Sequence, residues 1–135
     1  TPLMLFGACA EACRLPDRRR LAGGLLLACV LIDLWLVLVP GAPDRYCGLS
    51  GPLHAVFAMV LLALHRELAS PLPLALLAAG ILKVAAEWLF GTGFTPSLAD
   101  SSWTGTPWAH GLGLLAGIAA WTIAESARRR VPHFA

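Results

Sequence analysis

A serine and a histidine are of the residue types that together catalyse acyl transfer. Ser50 lies in the run Gly48-Leu49-Ser50-Gly51, and His110 lies farther along in the run A-H-G-L-G-L-L-A-G. A serine hydroxyl is inert until a base takes its proton, and histidine is the usual base. Flanking glycines let the backbone approach a substrate carbonyl, and amides at a helix start can stabilise an oxyanion. The two residues are therefore a candidate nucleophile and general base.

Each motif also has an ordinary structural interpretation. Ser50 suits a helix N-cap, with Pro52 in the first turn, where its missing N–H costs nothing. His110, Gly113 and Gly117 fall at positions i, i+3 and i+7, on one helix face. The two glycines form a small-x-x-x-small seam that another helix can approach closely. On this interpretation His110 is a histidine near a helix interface.

The composition of the chain is that of a membrane protein. Of its 135 residues, 58% are hydrophobic and only 13% are charged, and the mean hydropathy is +0.73. A soluble domain this small needs more polar surface to cover its core, so soluble enzymes and disordered chains are disfavoured. The net charge of +2 is too small for the footprint of a nucleic-acid-binding protein. The length allows a single domain, residues 1–135.

Four apolar segments of the chain are candidate membrane spans, since a helical crossing takes roughly 17–25 residues. The predicted spans are residues 21–39, 51–64, 72–90 and 107–124, of which the second is short. Residues 1–13 are expected to be the tail of a further, upstream span, so that the domain is N-terminally incomplete. Lipid requires an internally satisfied backbone, and the predicted fold class is therefore an all-α polytopic membrane bundle.

The basic residues predict the orientation of these spans. Of the ten Lys and Arg residues, eight lie at span ends on one side, Arg45 lies on the other and Lys83 lies within a span. The positive-inside rule makes the richer side cytoplasmic. The predicted cytoplasmic segments are residues 14–20, 65–71 and 125–135, and the predicted outward segments are residues 40–50 and 91–107.

This orientation places Ser50 and His110 at a similar depth, because each begins its helix from the outer side. A Ser–His dyad needs no third residue if packing orients the imidazole. A histidine inside a membrane bundle is, moreover, a functional hypothesis by default. The shared depth therefore favours the catalytic interpretation of both motifs.

Other polar residues within the spans have less specific interpretations. His54, one turn after Ser50, either donates to a substrate or makes an ordinary interhelical hydrogen bond. Lys83 and Glu87 are spaced i, i+4 and are expected to form a structural ion pair, with a substrate-related role as the alternative. The four cysteines lack the spacing of a disulfide framework or metal site. We predict no metal and no other cofactor.

Together the two motifs resemble those of the rhomboid intramembrane serine proteases. In that family the G-x-S-G serine is the nucleophile and the histidine of the A-H-x-x-G-x-x-x-G motif is its base. The run G-L-S-G-P-L-H at residues 48–54, and Lys83, Glu87 and Phe90-Gly91, are similar to the rhombosortase subfamily. The resemblance extends from about residue 42 to residue 121. It implies a rhomboid-like bundle with four full spans and the tail of an upstream one.

The resemblance also assigns roles to individual residues. It implies Ser50 and His110 as the catalytic pair. Positions implied to hold the oxyanion or the substrate are Gly48, Leu49, Gly51 and His54. Gly113 and Gly117 are expected to pack the helices.

The function implied is that of an intramembrane serine endopeptidase. It would cleave a C-terminal membrane anchor of the Gly-Gly tail type from exported proteins. Its partners would be membrane-anchored substrates with a C-terminal transmembrane helix, and the lipid bilayer, with no nucleic acid. The implied location is the bacterial inner membrane, as a multi-pass protein with its active site near the outer face.

One departure from the family keeps a second function open. Rhomboids usually carry a His and an Asn on the span two before the serine helix, and residues 1–13 contain neither. The alternative is a rhomboid-like pseudoprotease that binds transmembrane helices without cleaving them. A third hypothesis, a metal-binding or transport protein using Cys47, His54 and His110, lacks a recognisable ligand spacing.

Overall fold

The structure, a computed structural model, describes residues 18–40, 49–90 and 107–130. These residues form four α-helices and include no strand, which confirms the all-α class for this part of the chain. The helices are α1 (Arg18–Leu38), α2 (Ser50–Leu68), α3 (Leu72–Phe90) and α4 (Pro107–Arg130). The predicted upstream tail at residues 1–13 and most of the two outward segments lie outside the described residues.

The helix boundaries follow local sequence signals. α3 has the predicted bounds, whereas α2 ends at Leu68 rather than at residue 64 and α4 at Arg130 rather than at residue 124. The added residues are largely polar but include good helix formers, so polarity ends the apolar pattern without ending the helix. After α2 the backbone becomes left-handed at Ala69, with a φ of 46°.

The helices α2 and α4 run parallel to each other along their length. At their starts, Ser50 meets His110. At their other ends, Arg66 donates to Glu125 at 2.7 Å and its guanidinium carbon lies 6.0 Å from the centre of the Trp121 ring. A parallel pair separated by one intervening helix is the arrangement that alternate crossings of a membrane produce.

The other two helices run antiparallel to α4 and meet its start. Glu87, in the last turn of α3, contacts His110 in the first turn of α4. The indole of Trp108 lies 6.3 Å from that of Trp35 on α1 and 4.8 Å from that of Trp88 on α3, measured between ring centroids. This aromatic cluster joins three helices beside the histidine.

Backbone contact between α2 and α4 depends on two glycines. A Cβ built on Gly113 would overlap the Gly51 carbonyl group and lie 3.2 Å from the Cβ of His54. A Cβ built on Gly117 would lie 2.8 Å from the Cα of Ala55. The structure thus places the small-x-x-x-small seam of α4 directly against the backbone of α2.

Small side chains line much of the interior, while large apolar side chains lie outside. The buried alanines are Ala28, Ala55, Ala58, Ala63, Ala109 and Ala116. Large apolar residues such as Leu26, Val37, Leu82, Leu89 and Phe90 are exposed. An exposed apolar surface of this extent marks contact with a membrane or another protein.

Two of the described helices are long and apolar enough to cross a membrane, namely Arg20–Leu38 within α1 and the whole of α3. The segments α2 and α4 have sufficient length, at 19 and 24 residues, but carry several ionisable side chains. The prediction of four full spans is therefore supported by hydropathy for two helices and stays a prediction for the other two.

The seam predicts how the fold responds to a single added methyl group. We expect Gly113→Ala to lower the thermal unfolding midpoint in detergent, because overpacking against backbone costs roughly 1–3 kcal/mol. Gly23→Ala on α1 is the matched control, since nothing lies within 4 Å of a Cβ at Gly23. The control should be neutral or stabilise by about 0.5–1 kcal/mol. Equal midpoints for the two variants would contradict the close packing of α2 on α4.

Candidate active site

Three helix ends form the candidate site at one end of the bundle. Ser50 is the first residue of α2, His110 lies in the first turn of α4, and Glu87 lies in the last turn of α3. Because α3 is antiparallel to α4, its last turn reaches the depth at which the other two helices begin. The three side chains therefore converge from separate helices.

The hydroxyl of Ser50 and the imidazole of His110 are in hydrogen-bonding contact. The distance between Ser50 Oγ and His110 Nε2 is 3.2 Å, and both side chains are partly buried. This distance lies at the upper limit of the range expected for a nucleophile and its base, which is often looser without substrate. The structure thus brings together the two residues whose types and depths predicted the dyad.

Ser50 is not the N-cap of its helix, so that structural interpretation is wrong. Leu49 occupies the N-cap position, with φ −76° and ψ 0°, and no side chain caps the helix. Ser50 is the first helical residue, and Pro52 lies in the first turn as expected. The hydroxyl instead contacts the imidazole of a neighbouring helix. N-cap preferences describe only bonds from a side chain to the backbone of its own helix, so they do not predict this partner.

The residues flanking Ser50 differ in what they contact. Gly48 lies outside the described residues, Leu49 has an exposed side chain, and Gly51 is buried with its carbonyl facing Gly113. Pro52 has no amide hydrogen. Gly51 therefore takes part in helix packing, and the oxyanion roles implied for these positions stay a prediction.

Glu87 contacts both Lys83 and His110, and only the first contact was predicted. Lys83 Nζ donates to Glu87 Oε1 along the helix, while His110 Nδ1 lies 2.8 Å from Glu87 Oε2. A signal for the second contact was present in the sequence. Glu87 lies three residues before the end of span 72–90, and His110 lies three residues after the start at residue 107. Antiparallel spans bring two such positions to the same depth.

His54 lies against His110 and makes a hydrogen bond within its own helix. Its Nδ1–H donates to the Ser50 carbonyl at 2.6 Å. Its ring stacks on that of His110, with centroids 4.5 Å apart and planes inclined by 23°. The expected interhelical hydrogen bond is thus replaced by a ring stack. A neutral His54 keeps an acceptor at Nε2, and its substrate-binding role stays a prediction.

A cavity of about 300 Å³ lies beside Ser50, between α2 and α3. Its lining residues are Ser50, Leu53, His54, Phe57, Gly80 and Lys83. The wall is largely apolar. The Phe57 ring packs closely against Gly80, where a Cβ would lie 2.8 Å from the ring. The cavity can accept a small or apolar segment of a ligand next to the hydroxyl.

Among the described residues, no group of three or more His, Cys, Asp or Glu side chains is arranged to hold a metal ion. The metal-binding hypothesis used Cys47, which lies outside these residues. Of its other two members, His110 contacts Ser50 and Glu87, and His54 contacts the Ser50 carbonyl. Each ring nitrogen of His110 thus has a side-chain partner, and His54 makes a hydrogen bond within its own helix.

No protein-family model, no curated protein and no solved structure matches this chain. The functional assignment therefore depends on the geometry of the site and on the two sequence motifs.

The ring stack predicts a difference between two substitutions of His54. We expect His54→Ala to lower the thermal unfolding midpoint, because an aromatic pair contributes about 0.5–1.5 kcal/mol beyond area burial. His54→Phe retains a ring but removes the hydrogen bond to the Ser50 carbonyl, so its loss should be smaller. A phenylalanine variant that is destabilised as much as the alanine variant would mean that the stack contributes nothing.

Proposed function

We propose that this protein is an intramembrane serine endopeptidase in which Ser50 is the nucleophile and His110 the general base. The observation that carries the proposal is the 3.2 Å contact between Ser50 Oγ and His110 Nε2. The adjoining cavity supports it, because a substrate segment has room beside the hydroxyl. Both residues lie in the first turn of their helices, and both side chains are partly buried.

The reaction follows from the acid–base chemistry of the pair. Ser50 Oγ attacks the carbonyl carbon of the scissile peptide bond while its proton moves to His110 Nε2. The tetrahedral adduct expels the amine, which takes that proton and leaves an ester on Ser50. Water, deprotonated by His110, then hydrolyses the ester and restores both residues.

The proposed location is the bacterial inner membrane, with the active site near the outer face. Two helices long and apolar enough to cross a membrane, and large exposed apolar side chains, support a membrane location. The excess of arginine at one end of the spans supports the orientation. Ser50 and His110 lie at helix starts and Glu87 lies in the last turn of α3, at the end of the bundle that this orientation places toward the outer face.

The topology is tested by reporter fusions to the full-length protein. Fusions after Arg20 and after Arg130 should report a cytoplasmic location, and a fusion at Ser101 an external one, because eight basic residues flank the spans on one side. A cytoplasmic signal at Ser101 would contradict the orientation and place the site at the wrong face.

The proposed substrates are exported proteins with a C-terminal Gly-Gly-type tail, a single transmembrane helix and terminal basic residues. This class follows from the rhombosortase resemblance of residues 48–54. The cavity of about 300 Å³ beside Ser50 leaves room for small substrate residues near the scissile bond. Cleavage would release the substrate protein from its membrane anchor.

Covalent labelling of Ser50 tests the proposed dyad. In the full-length protein a fluorophosphonate probe should label Ser50, and labelling should vanish in Ser50→Ala. It should also fall sharply in His110→Ala, because an unassisted serine stays protonated. The variant with both substitutions should lose about as much labelling as either single variant, as expected of residues that act as a unit. Gly23→Ala on α1, where nothing lies within 4 Å of an added Cβ, is the control and should retain labelling.

Cleavage of a membrane-anchored Gly-Gly substrate separates the protease from the pseudoprotease. Loss of cleavage in Ser50→Ala with unchanged substrate binding supports the protease. Folded Ser50→Ala protein that cleaves as well as the unsubstituted protein refutes the serine mechanism. Binding without cleavage by the unsubstituted protein would instead identify a pseudoprotease.

A further inference from the structure

Both ring nitrogens of His110 have a side-chain partner, each from a different helix. Nε2 lies 3.2 Å from Ser50 Oγ on α2, and Nδ1 lies 2.8 Å from Glu87 Oε2 on α3. The side chains of Glu87 and His110 are 3% and 12% exposed. The imidazole is therefore held between two groups in a largely water-excluded position, where its orientation depends on them.

The Glu87 carboxylate determines where the proton of a neutral His110 resides. An ionised carboxylate only accepts hydrogen bonds, so the proton lies on Nδ1 and is donated to Glu87. Nε2 then carries the lone pair, which accepts the hydrogen bond from Ser50 Oγ–H. This is the tautomer that a general base requires, and packing alone does not select it.

The charge of Glu87 is balanced before and during the reaction. A buried carboxylate needs a charged partner, and Lys83 Nζ donates to the oxygen that His110 does not contact. When His110 takes the proton of Ser50, an imidazolium forms next to a carboxylate that is already in place. Such a fixed charge stabilises the developing cation without reorganisation.

We propose that Glu87 is a positioning residue that completes a Ser50–His110–Glu87 relay, with Lys83 holding the carboxylate. This inference rests on the proposed function, and it assigns to Glu87 a role that a dyad does not contain. Glu87 acts through His110 and does not touch the substrate. Its carboxylate fixes the tautomer of the imidazole and stabilises its protonated form.

Two substitutions of Glu87 separate this role from a merely structural one. Glu87→Gln retains the shape and an acceptor oxygen but removes the charge, while Glu87→Asp retains the charge on a shorter side chain. In fluorophosphonate labelling, Oγ bonds to phosphorus, fluoride leaves and the Oγ proton passes to His110. We expect the labelling rate to fall about 10²- to 10⁴-fold in Glu87→Gln and by less in Glu87→Asp. A residue that only fills space would give the opposite order, and that order would overturn the proposal.

A glutamate that links two helices elsewhere provides the matched control. Glu125→Gln removes the interhelical contact with Arg66 at the far end of α2 and α4, and its labelling rate should stay within about threefold of the unsubstituted protein. Labelling that is lost in Ser50→Ala but retained at full rate in Glu87→Gln overturns the role of Glu87 and leaves the dyad. Labelling that persists in Ser50→Ala overturns the proposed function itself.

A measurement on the unsubstituted protein tests the tautomer even if the Glu87 variants do not fold. Nitrogen-15 NMR of the full-length protein in micelles, with His110 assigned by its loss in His110→Ala, distinguishes protonated from unprotonated ring nitrogens. At a pH where the imidazole is neutral, we expect the proton on Nδ1 and none on Nε2. A proton on Nε2 would overturn the proposal, since Glu87 would then not direct the imidazole toward Ser50.

Discussion

The contact between the backbones of α2 and α4 is the constraint on which the site depends. Gly113 and Gly117 carry no side chains, so the two helices touch at Gly51 and Ala55. Because the helices are parallel, this contact brings their starts together rather than the start of one to the end of the other. The short reach of a serine side chain then suffices to meet the imidazole of His110. A serine–histidine pair on more widely separated helices would need longer side chains than these two residues possess.

The sequence predicts the existence of the helices better than the faces by which they pack. Apolar runs interrupted by proline and glycine locate the helices, and α3 has the predicted bounds. Hydropathy cannot say which face is buried, because exposed residues such as Leu82 and Leu89 are as apolar as the interior. The glycine spacing of α4 is the exception, since close backbone approach requires residues without side chains. The helices α2 and α4 continue past the predicted spans to Leu68 and Arg130, because polar residues extend them.

Within the site, the sequence predicts contacts between residues that belong to one motif or that lie at the same depth in the membrane. Ser50 and His110 followed from residue chemistry and predicted orientation. The capping interpretation of Ser50 was wrong because a cap preference is local, whereas the hydroxyl found a tertiary partner. The contact of Glu87 with His110 was missed because Lys83, one turn away, already accounted for the charge. A carboxylate has two oxygens, and a partner for one does not satisfy the other.

The ion pair between Arg66 and Glu125 lies far from the nucleophile, yet it supports the same register of α4 along α2 as the glycine contact does. A row of small residues spaced every four positions is periodic, so a shift by one helical turn, about 5.4 Å, places small residues opposite small residues again. After such a shift Ala109 would face Gly51 and Gly113 would face Ala55, so the Cβ of Ala109 would press on the Gly51 carbonyl group. The distant charges do not repeat with that period. The glycine contact at one end of the two helices and the ion pair at the other therefore favour the same turn of α4 opposite the serine.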